Sequence, residues 1–374
     1  MLKKEISTAL IMYQEKYRLK TRIIDDWYDL GHTSGLIKAK NMLFNARCFN
    51  SISVDTECGL LTKTSTKVQK LEDEAFWYVH LPEELKIFTP RLVCFDKDKS
   101  SASLTQELYG YPSLQELYLS GEVNLEDWNY IIKSLFSLHK KFEKFKGETN
   151  PDALKWLYYD KTKERLSDLR NQNPYWNEVL DREFEYINGK KYRGIASLKS
   201  GIDIYVQKLC KTEKETIIHG DYCFSNILFD SSNYNFKLVD PRGRLNNEPT
   251  IYGDPRYDIA KLRHSIAGFY DFIVHGLFRL KENKTGFEYE IKTSTDYSIL
   301  ERIFNKYAEL NGYNPQEIKF IEGLLFLSMI PLHKDNFSRQ KVFYLKAIEL
   351  LNDTVKIRGK LNNEKVLSLV RSRG

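Results

Sequence analysis

The stretch "IIHGDYCFSNILFD", from Ile217 to Asp230, places a histidine, an aspartate and an asparagine (His219, Asp221 and Asn226) between two apolar runs suited to short buried strands. "ETIIHG" and "NILFD" read as strands flanking the loop "GDYCFS", with Asp221 at its start and Asn226 at its end. Downstream, "NFKLVDPRG" reads as a further strand that delivers a second carboxylate, Asp240, to a proline–glycine turn. An isolated histidine is commonly a satisfied core residue, and Asp or Asn in a loop commonly forms a turn or cap. The weight lies in the combined spacing H-x-D-x-x-x-x-N followed by an aspartate at the end of the next-but-one strand. One aspartate can take a proton from a hydroxyl, while an asparagine and a second aspartate supply the hard oxygen atoms that magnesium prefers. These are the parts needed for phosphoryl transfer from ATP, where the protein positions reactants, offsets phosphate charge and supplies a base.

Outward from this stretch, the chain divides by texture. From Met42 to Leu108, β-branched and hydroxyl residues collect in "SISVDTECGLLTKTST". A helical run, "KVQKLEDEAFWYVHL", follows, and then a hairpin of "RLVCFD" and "SASLTQEL" joined by the polar "KDKS". After "YGYPS" the pattern turns helical, with a serine cap at Ser113 and a long amphipathic run, "LEDWNYIIKSLFSLHKKFEKF". Only "ETIIHG", "NILFD" and "NFKLVD" interrupt the helices of this second part as strands. The expected architecture is α+β and two-lobed: a small β-rich N-lobe over residues 42–110 and a larger, mainly helical C-lobe over 111–374. A cleft between two such lobes is a usual place for a small ligand.

"HGDYCFSN" resembles the catalytic loop H-G-D-x-x-x-x-N of the aminoglycoside phosphotransferase and choline kinase family, which has a protein-kinase-like fold. "LVDPRG" is similar to that family's metal-binding segment, and "YGDPRYDIAKLRHS" to its following D-P-x-x-D-L-A segment. The resemblance spans about residues 42–352. It implies that Asp221 is the catalytic base, that Asn226 and Asp240 hold Mg²⁺, and that His219 and Asp258 support the loop. It further implies a nucleotide-binding lysine with a helix glutamate to hold it. Lys63 in "GLLTKTS" and Glu74 in "KLEDEAFWY" fit, with Glu72 as the rival to Glu74. "TQELYGYP" resembles the hinge, where Glu107 and Leu108 would offer backbone groups to adenine. The stretch preceding Lys63, "NARCFNSISVD", contains no glycine, so Asn50 or Ser51 would help backbone amides cover the phosphates. Pro241 and Arg242 stand where the family usually has Phe–Gly, and Ser225 replaces the common glycine before the asparagine.

The remaining features bound the function. A net charge of +6, from 57 basic and 51 acidic residues, is too small an excess to argue for nucleic acid. Five scattered cysteines form no C-x-x-C, which speaks against a zinc cluster or a disulfide framework. No run suits a membrane span or a signal peptide, so a cytoplasmic location is expected. Residues 1–41 include "WYDLGHTSGLIKAK", which resembles the end segment of bacterial sugar nucleotidyltransferases and hints at surface-polysaccharide chemistry. The expected activity is Mg²⁺-ATP-dependent transfer of the γ-phosphate to a hydroxyl of a sugar, polyol or amino alcohol. Lys161 and Arg165 in "YYDKTKER" are the candidate acceptor contacts. The rival, favoured by the glycine-free stretch, is an inactive nucleotide-binding pseudokinase or scaffold of a polysaccharide pathway.

Overall fold

The computed structural model describes Tyr13, Tyr17 and residues 50–149, 151–211, 215–293 and 295–355. The chain separates into two compact units, Met1–Ile52 and Ser53–Gly374. The segment that resembles a nucleotidyltransferase lies outside the described residues, apart from Tyr13 and Tyr17.

The fold is α+β and two-lobed. Strands β1 (Asn50–Asp55), β2 (Leu60–Ser65), β3 (Leu92–Lys97) and β4 (Ala102–Glu107) form one sheet in the order β1-β2-β4-β3. Helix α1 (Val68–His80) packs across β3 and β4. Its apolar residues Leu71, Ala75, Trp77 and Tyr78 recur at helical spacing and are buried, and the helix stops where Leu81 turns extended before Pro82. The β3–β4 connection is closed by Asp98, whose carboxylate accepts from the backbone N–H groups of Ser100 and Ser101.

The second lobe is built on helices. Helix Leu125–Phe142 is capped by the Asn124 side chain, which accepts from Asp127 N–H. It buries Trp128, Ile131, Ile132, Leu135, Phe136 and Phe142. Helices Pro315–Met329 and Phe337–Thr354 pack along each other, and Pro315–Met329 also packs against helix Pro255–Ile266. Within that core the Arg263 guanidinium is ion-paired to Glu322 and Glu301. Among the described residues no helix is long and apolar enough to cross a membrane.

Two short antiparallel ladders carry the loop read first in the sequence. Thr216–Ile217 pairs with Tyr252–Gly253, and Ile227–Asp230 pairs with Asn235–Leu238. Asp240 therefore stands in the turn two residues beyond its strand, with φ +56°.

The expectation that only three strand runs interrupt the helical lobe needs correction. A second four-stranded sheet joins Phe278–Asn283, Gly286–Ile291, Phe184–Ile187 and Lys190–Arg193 in that order. "NPYWNEVLDREFEYI" has helical texture throughout but is helical only over Tyr175–Asp181. The reason is the Asn188–Gly189 pair, both with positive φ (50° and 76°), which makes a two-residue hairpin turn between β-forming residues.

Candidate active site

Lys63 projects from β2, opposite the buried Leu104 of β4. Its ammonium lies 2.7 Å from Glu74 Oε1 and is also ion-paired to Asp240. Glu74 sits on the buried face of α1, with 2% of its side chain exposed. Glu72, the alternative partner, instead meets Lys97 on β3 at the protein surface. Burial opposes the charge on Lys63, but Asp240 and Glu74 outweigh it and hold the ammonium above its ordinary pKa. The same lysine opposes burial at Asp240, which stays below the usual carboxylate range.

The Asp240 turn is fastened to α1. Arg244 Nε lies 2.9 Å from both carboxylate oxygens of Asp73. Gly243, with φ +62°, approaches so closely that a Cβ there would lie 1.8 Å from the Asp73 carbonyl oxygen, a contact only glycine avoids. The left-handed backbone of Asp240 is uncommon for a residue with a side chain, and such conformations cluster at functional sites. On the other side of the turn, Arg242 N–H donates to the His219 carbonyl at 2.9 Å, and Trp77 of α1 donates to the Ile218 carbonyl at 2.8 Å. Thus α1, the Asp240 turn and the His219–Asn226 loop form one connected framework.

Within that loop, Asp258 accepts from the backbone N–H groups of His219 (2.6 Å) and Gly220 (2.8 Å). His219 is wholly buried, and burial depresses its pKa so that the ring is neutral; its Nδ1 accepts from Asp221 N–H at 3.3 Å. The Asn226 amide donates to the Asp221 carboxylate at 2.9 Å and to the Asp221 carbonyl at 3.0 Å. The Asp221 side chain remains 36% exposed.

Three residues beside Asp221 were not singled out from the sequence as part of the site. Lys261 places its ammonium 2.7 Å from Asp221 Oδ1. Although burial opposes ionisation, Lys261 holds the Asp221 carboxyl far below its usual range, with Arg242 adding a smaller contribution. Tyr257, one helical turn before Lys261 in helix Pro255–Ile266, is buried and receives a hydrogen bond from Lys161 Nζ at 3.3 Å. The guanidinium of Arg242, noted only as a departure from a family pattern, lies 5.3 Å from the Tyr257 ring centroid. A signal was present: Asp254 and Pro255 mark a helix start, after which Tyr257, Asp258 and Lys261 share one face at i, i+1 and i+4.

Lys161 and Arg165 are not simple surface charges. Lys161 is 5% exposed and follows a π-helical turn, Trp156–Asp160, a local irregularity often found at functional sites. Arg165 donates to the Ser328 carbonyl at 3.0 Å.

The remaining candidates are placed as follows. The Glu107 N–H donates to the Arg91 carbonyl and the Leu108 N–H to the Gly59 carbonyl, at 3.1 and 2.8 Å. Both amides are spent, so the expectation narrows: these two residues keep only their carbonyls for adenine. The Glu107 carboxylate is taken by Arg91 and the Tyr109 hydroxyl. Asn50 and Ser51 are the first two residues of β1, belong to the unit Met1–Ile52, and Ser51 is exposed.

No family model matches the chain, and no curated protein matches it in sequence. Solved structures resemble it in fold. A type VIII aminoglycoside-3'-phosphotransferase is 15% identical, with 84% of this chain and 98% of that one covered and a TM-score of 0.40. A thermostable aminoglycoside phosphotransferase APH(4)-Ia mutant, in a ternary complex with AMP-PNP and hygromycin B, is 13% identical over 84% of this chain and 97% of that one, at a TM-score of 0.48. A putative fructosamine-3-kinase from Haemophilus somnus 129PT is 10% identical over 84% of this chain and 96% of that one, with a TM-score of 0.46.

Proposed function

We propose that this chain is a Mg²⁺-ATP-dependent phosphotransferase acting on a hydroxyl of a small molecule. The observation that carries the reading is the Lys63–Glu74–Asp240 network, tied through the Asp240 turn to the loop that bears Asp221 and Asn226. An ammonium held by a helix carboxylate offsets phosphate charge and orients a nucleotide. Lys63 would exchange Asp240 for the α- and β-phosphates when ATP enters, with Glu74 keeping it in place.

Asn226 and Asp240 suit magnesium by their donor atoms. Asn226 commits its amide hydrogens to Asp221 and is left with Oδ1, which Ser225 meets at 3.2 Å. Asp240 is ion-paired to Lys63 through Oδ1, leaving Oδ2 for a ligand. Two protein oxygens joined by phosphate oxygens and water are a common magnesium set, and the bound ion would neutralise charge on the β- and γ-phosphates.

In the transfer, the acceptor oxygen forms a bond to the γ-phosphorus while the bond from that phosphorus to the β,γ-bridging oxygen breaks. The electron pair leaves on ADP, and the hydroxyl proton passes to Asp221. A strongly ionised aspartate is a weak base, but a loose transition state asks for proton transfer late, so its first task is to orient the hydroxyl. Lys261 and Asn226 fix the carboxylate for that task. His219 and Asp258 would hold the loop backbone. On this reading residues 42–110 form the nucleotide lobe and 111–374 the acceptor lobe. The resemblance of the N-terminal segment to a sugar nucleotidyltransferase directs the acceptor search toward sugars.

The test is ADP release from Mg²⁺-ATP across a panel of sugars, polyols and amino alcohols, with Asp221→Asn as control. ADP release that depends on an acceptor and on Asp221 supports the reading; nucleotide binding without release from any acceptor would favour the scaffold.

A further inference from the structure

Beside Asp221, positive charge converges without matching negative charge. Lys161 Nζ lies 3.3 Å from the Tyr257 hydroxyl, 5.0 Å from its ring centroid and 5.5 Å from that of Trp156. Arg242 sits on the same tyrosine ring, with its Nη1 buried and lacking a hydrogen-bond partner. Lys261, from the same helix as Tyr257, reaches Asp221. Arg165 stands one turn beyond Lys161 and spends Nη1 on a backbone carbonyl. Among the described residues, Asp221 is the carboxylate within ion-pair distance of this group, and it pairs with Lys261 alone. Asp221 and, more weakly, Asp258 act on Arg242, and Glu164 acts on Arg165, without forming an ion pair with either.

Burying unpaired cations is costly, and a fold keeps such a cluster where a ligand supplies the missing charge. The titration of the group reflects this. Burial, with Arg242 and Arg165 nearby, brings Lys161 down to about 7. Burial would raise the Tyr257 phenol, yet Arg242, Lys161 and Lys261 bring it down to about 7.

We propose that Lys161, Arg165, Arg242 and Tyr257 form an anion subsite for the acceptor, and that the acceptor is a hydroxylated small molecule already bearing a phosphate monoester. The inference rests on the phosphotransfer reading for the role of Asp221, and deepens it by naming the acceptor class. A monoester carries a charge of about −1.5 to −2 and three acceptor oxygens, which suits three cations lacking carboxylates better than a single carboxylate would. An acceptor carrying ammonium groups would meet like charge and be rejected. The hydroxyl of the bound acceptor would lie at Asp221, and the product would carry two phosphate monoesters.

The experiment uses the full chain with Mg²⁺-ATP and matched acceptors: glycerol and glycerol 3-phosphate, ribose and ribose 5-phosphate, with gluconate as the carboxylate arm and glucosamine as the cationic arm. Calorimetry on the complex with Mg²⁺-AMP-PNP follows binding of the same compounds and of inorganic phosphate without turnover. We expect a phosphorylated compound to exceed its unphosphorylated partner at least tenfold in kcat/KM. Lys161→Gln and Arg165→Gln should each weaken its binding about tenfold while leaving AMP-PNP affinity unchanged; Arg165→Lys, which keeps the charge, should recover most of the loss. Phosphate-compound binding that depends on Lys161, with no turnover of any acceptor, would sustain the anion subsite and sink the kinase reading. The subsite proposal is overturned if glucosamine or the uncharged acceptors are preferred, or if gluconate matches the phosphorylated compounds. It is also overturned if the variants weaken AMP-PNP by the same factor, which would assign the cations to the nucleotide. Failure of inorganic phosphate and every phosphorylated compound to bind the folded protein would overturn it as well.

Discussion

The two halves of the site handle charge in opposite ways. On the half proposed for nucleotide, one ammonium, Lys63, is held by two carboxylates, Glu74 and Asp240, so the chain completes its own network. On the half proposed for the acceptor, Lys161, Arg165, Arg242 and Lys261 gather around Tyr257, and Asp221 forms an ion pair with only one of them. A network closed by the chain itself is already ordered when nucleotide arrives. A cluster short of negative charge is completed only by what binds there, so its composition is a statement about the ligand. The contrast predicts that substitutions in the first half change nucleotide affinity, while substitutions in the second change acceptor affinity.

The sharpest way to break this division is Asp221→Asn, at the junction of the halves. Turnover should fall by about 10²–10⁴, the range for a lost general base, while Mg²⁺-AMP-PNP affinity changes little. Activity near that of the unsubstituted protein would remove Asp221 from the reaction. Asp240→Ala comes next. It removes both a proposed metal oxygen and one partner of Lys63, and should weaken Mg²⁺-dependent nucleotide binding about ten- to hundredfold, the loss of one or two charge-assisted contacts. Calorimetry with and without Mg²⁺ reads this directly; an unchanged Mg²⁺ dependence would place the ion elsewhere.

These halves were also unequally legible. The H-x-D-x-x-x-x-N spacing and the aspartate after the following strand are local in sequence, and Lys63 and Glu74 lie on adjacent elements eleven residues apart. Their partners are on the chain, so pattern and pairing agree. Lys161 and Arg165 stand out in the sequence as candidate acceptor contacts, but Arg242 and Lys261 come from two other segments, and each alone reads as an ordinary basic residue. What joins them is a tertiary event: the π-helical turn before Lys161 and the face shared by Tyr257 and Lys261. The second sheet is hidden for another reason. "EYINGKKYR" carries an Asn–Gly hairpin signal, but it follows a helical run without a break, so helical periodicity masks the turn.

Glu74 and Glu72 offer a finer test of the nucleotide half. Both lie on α1 two residues apart, yet Glu74 is buried against Lys63 while Glu72 meets Lys97 at the surface. Glu74→Gln should raise the KM for ATP about tenfold with a smaller change in kcat, because Lys63 loses the group that orients it. Glu72→Gln should stay within about twofold, since exposed ion pairs contribute little. Equal effects would mean that α1 is only being destabilised and that Glu74 has no positioning role.

The smallest expected effect probes the acceptor half through pH. Lys161 faces Tyr257, Trp156, Arg242 and Arg165, with Lys261 and Asp221 behind the tyrosine. Burial and the two guanidinium groups lower its pKa to about 7, so the ammonium is present below that pH and lost above it. Tyr257, held below the ordinary phenol range by Arg242, Lys161 and Lys261, is coupled to Lys161, so the pair loses its protons as one unit and either loss removes positive charge. Both changes remove positive charge as pH rises, and so act in one direction against an anionic acceptor. Between pH 6.5 and 8.5, above the second ionisation of a phosphate monoester at about 6, the acceptor KM should therefore rise about three- to fivefold, while the KM for ATP stays flat. The rise is modest because Arg165, Arg242 and Lys261 keep their charge throughout. Lys161→Gln should start from the higher KM and lose most of the pH dependence, leaving the part due to Tyr257, which Tyr257→Phe would remove. A KM that falls with pH, or one that rises equally for ATP and acceptor, would show that the cluster does not belong to the acceptor and would erase the contrast between the two halves.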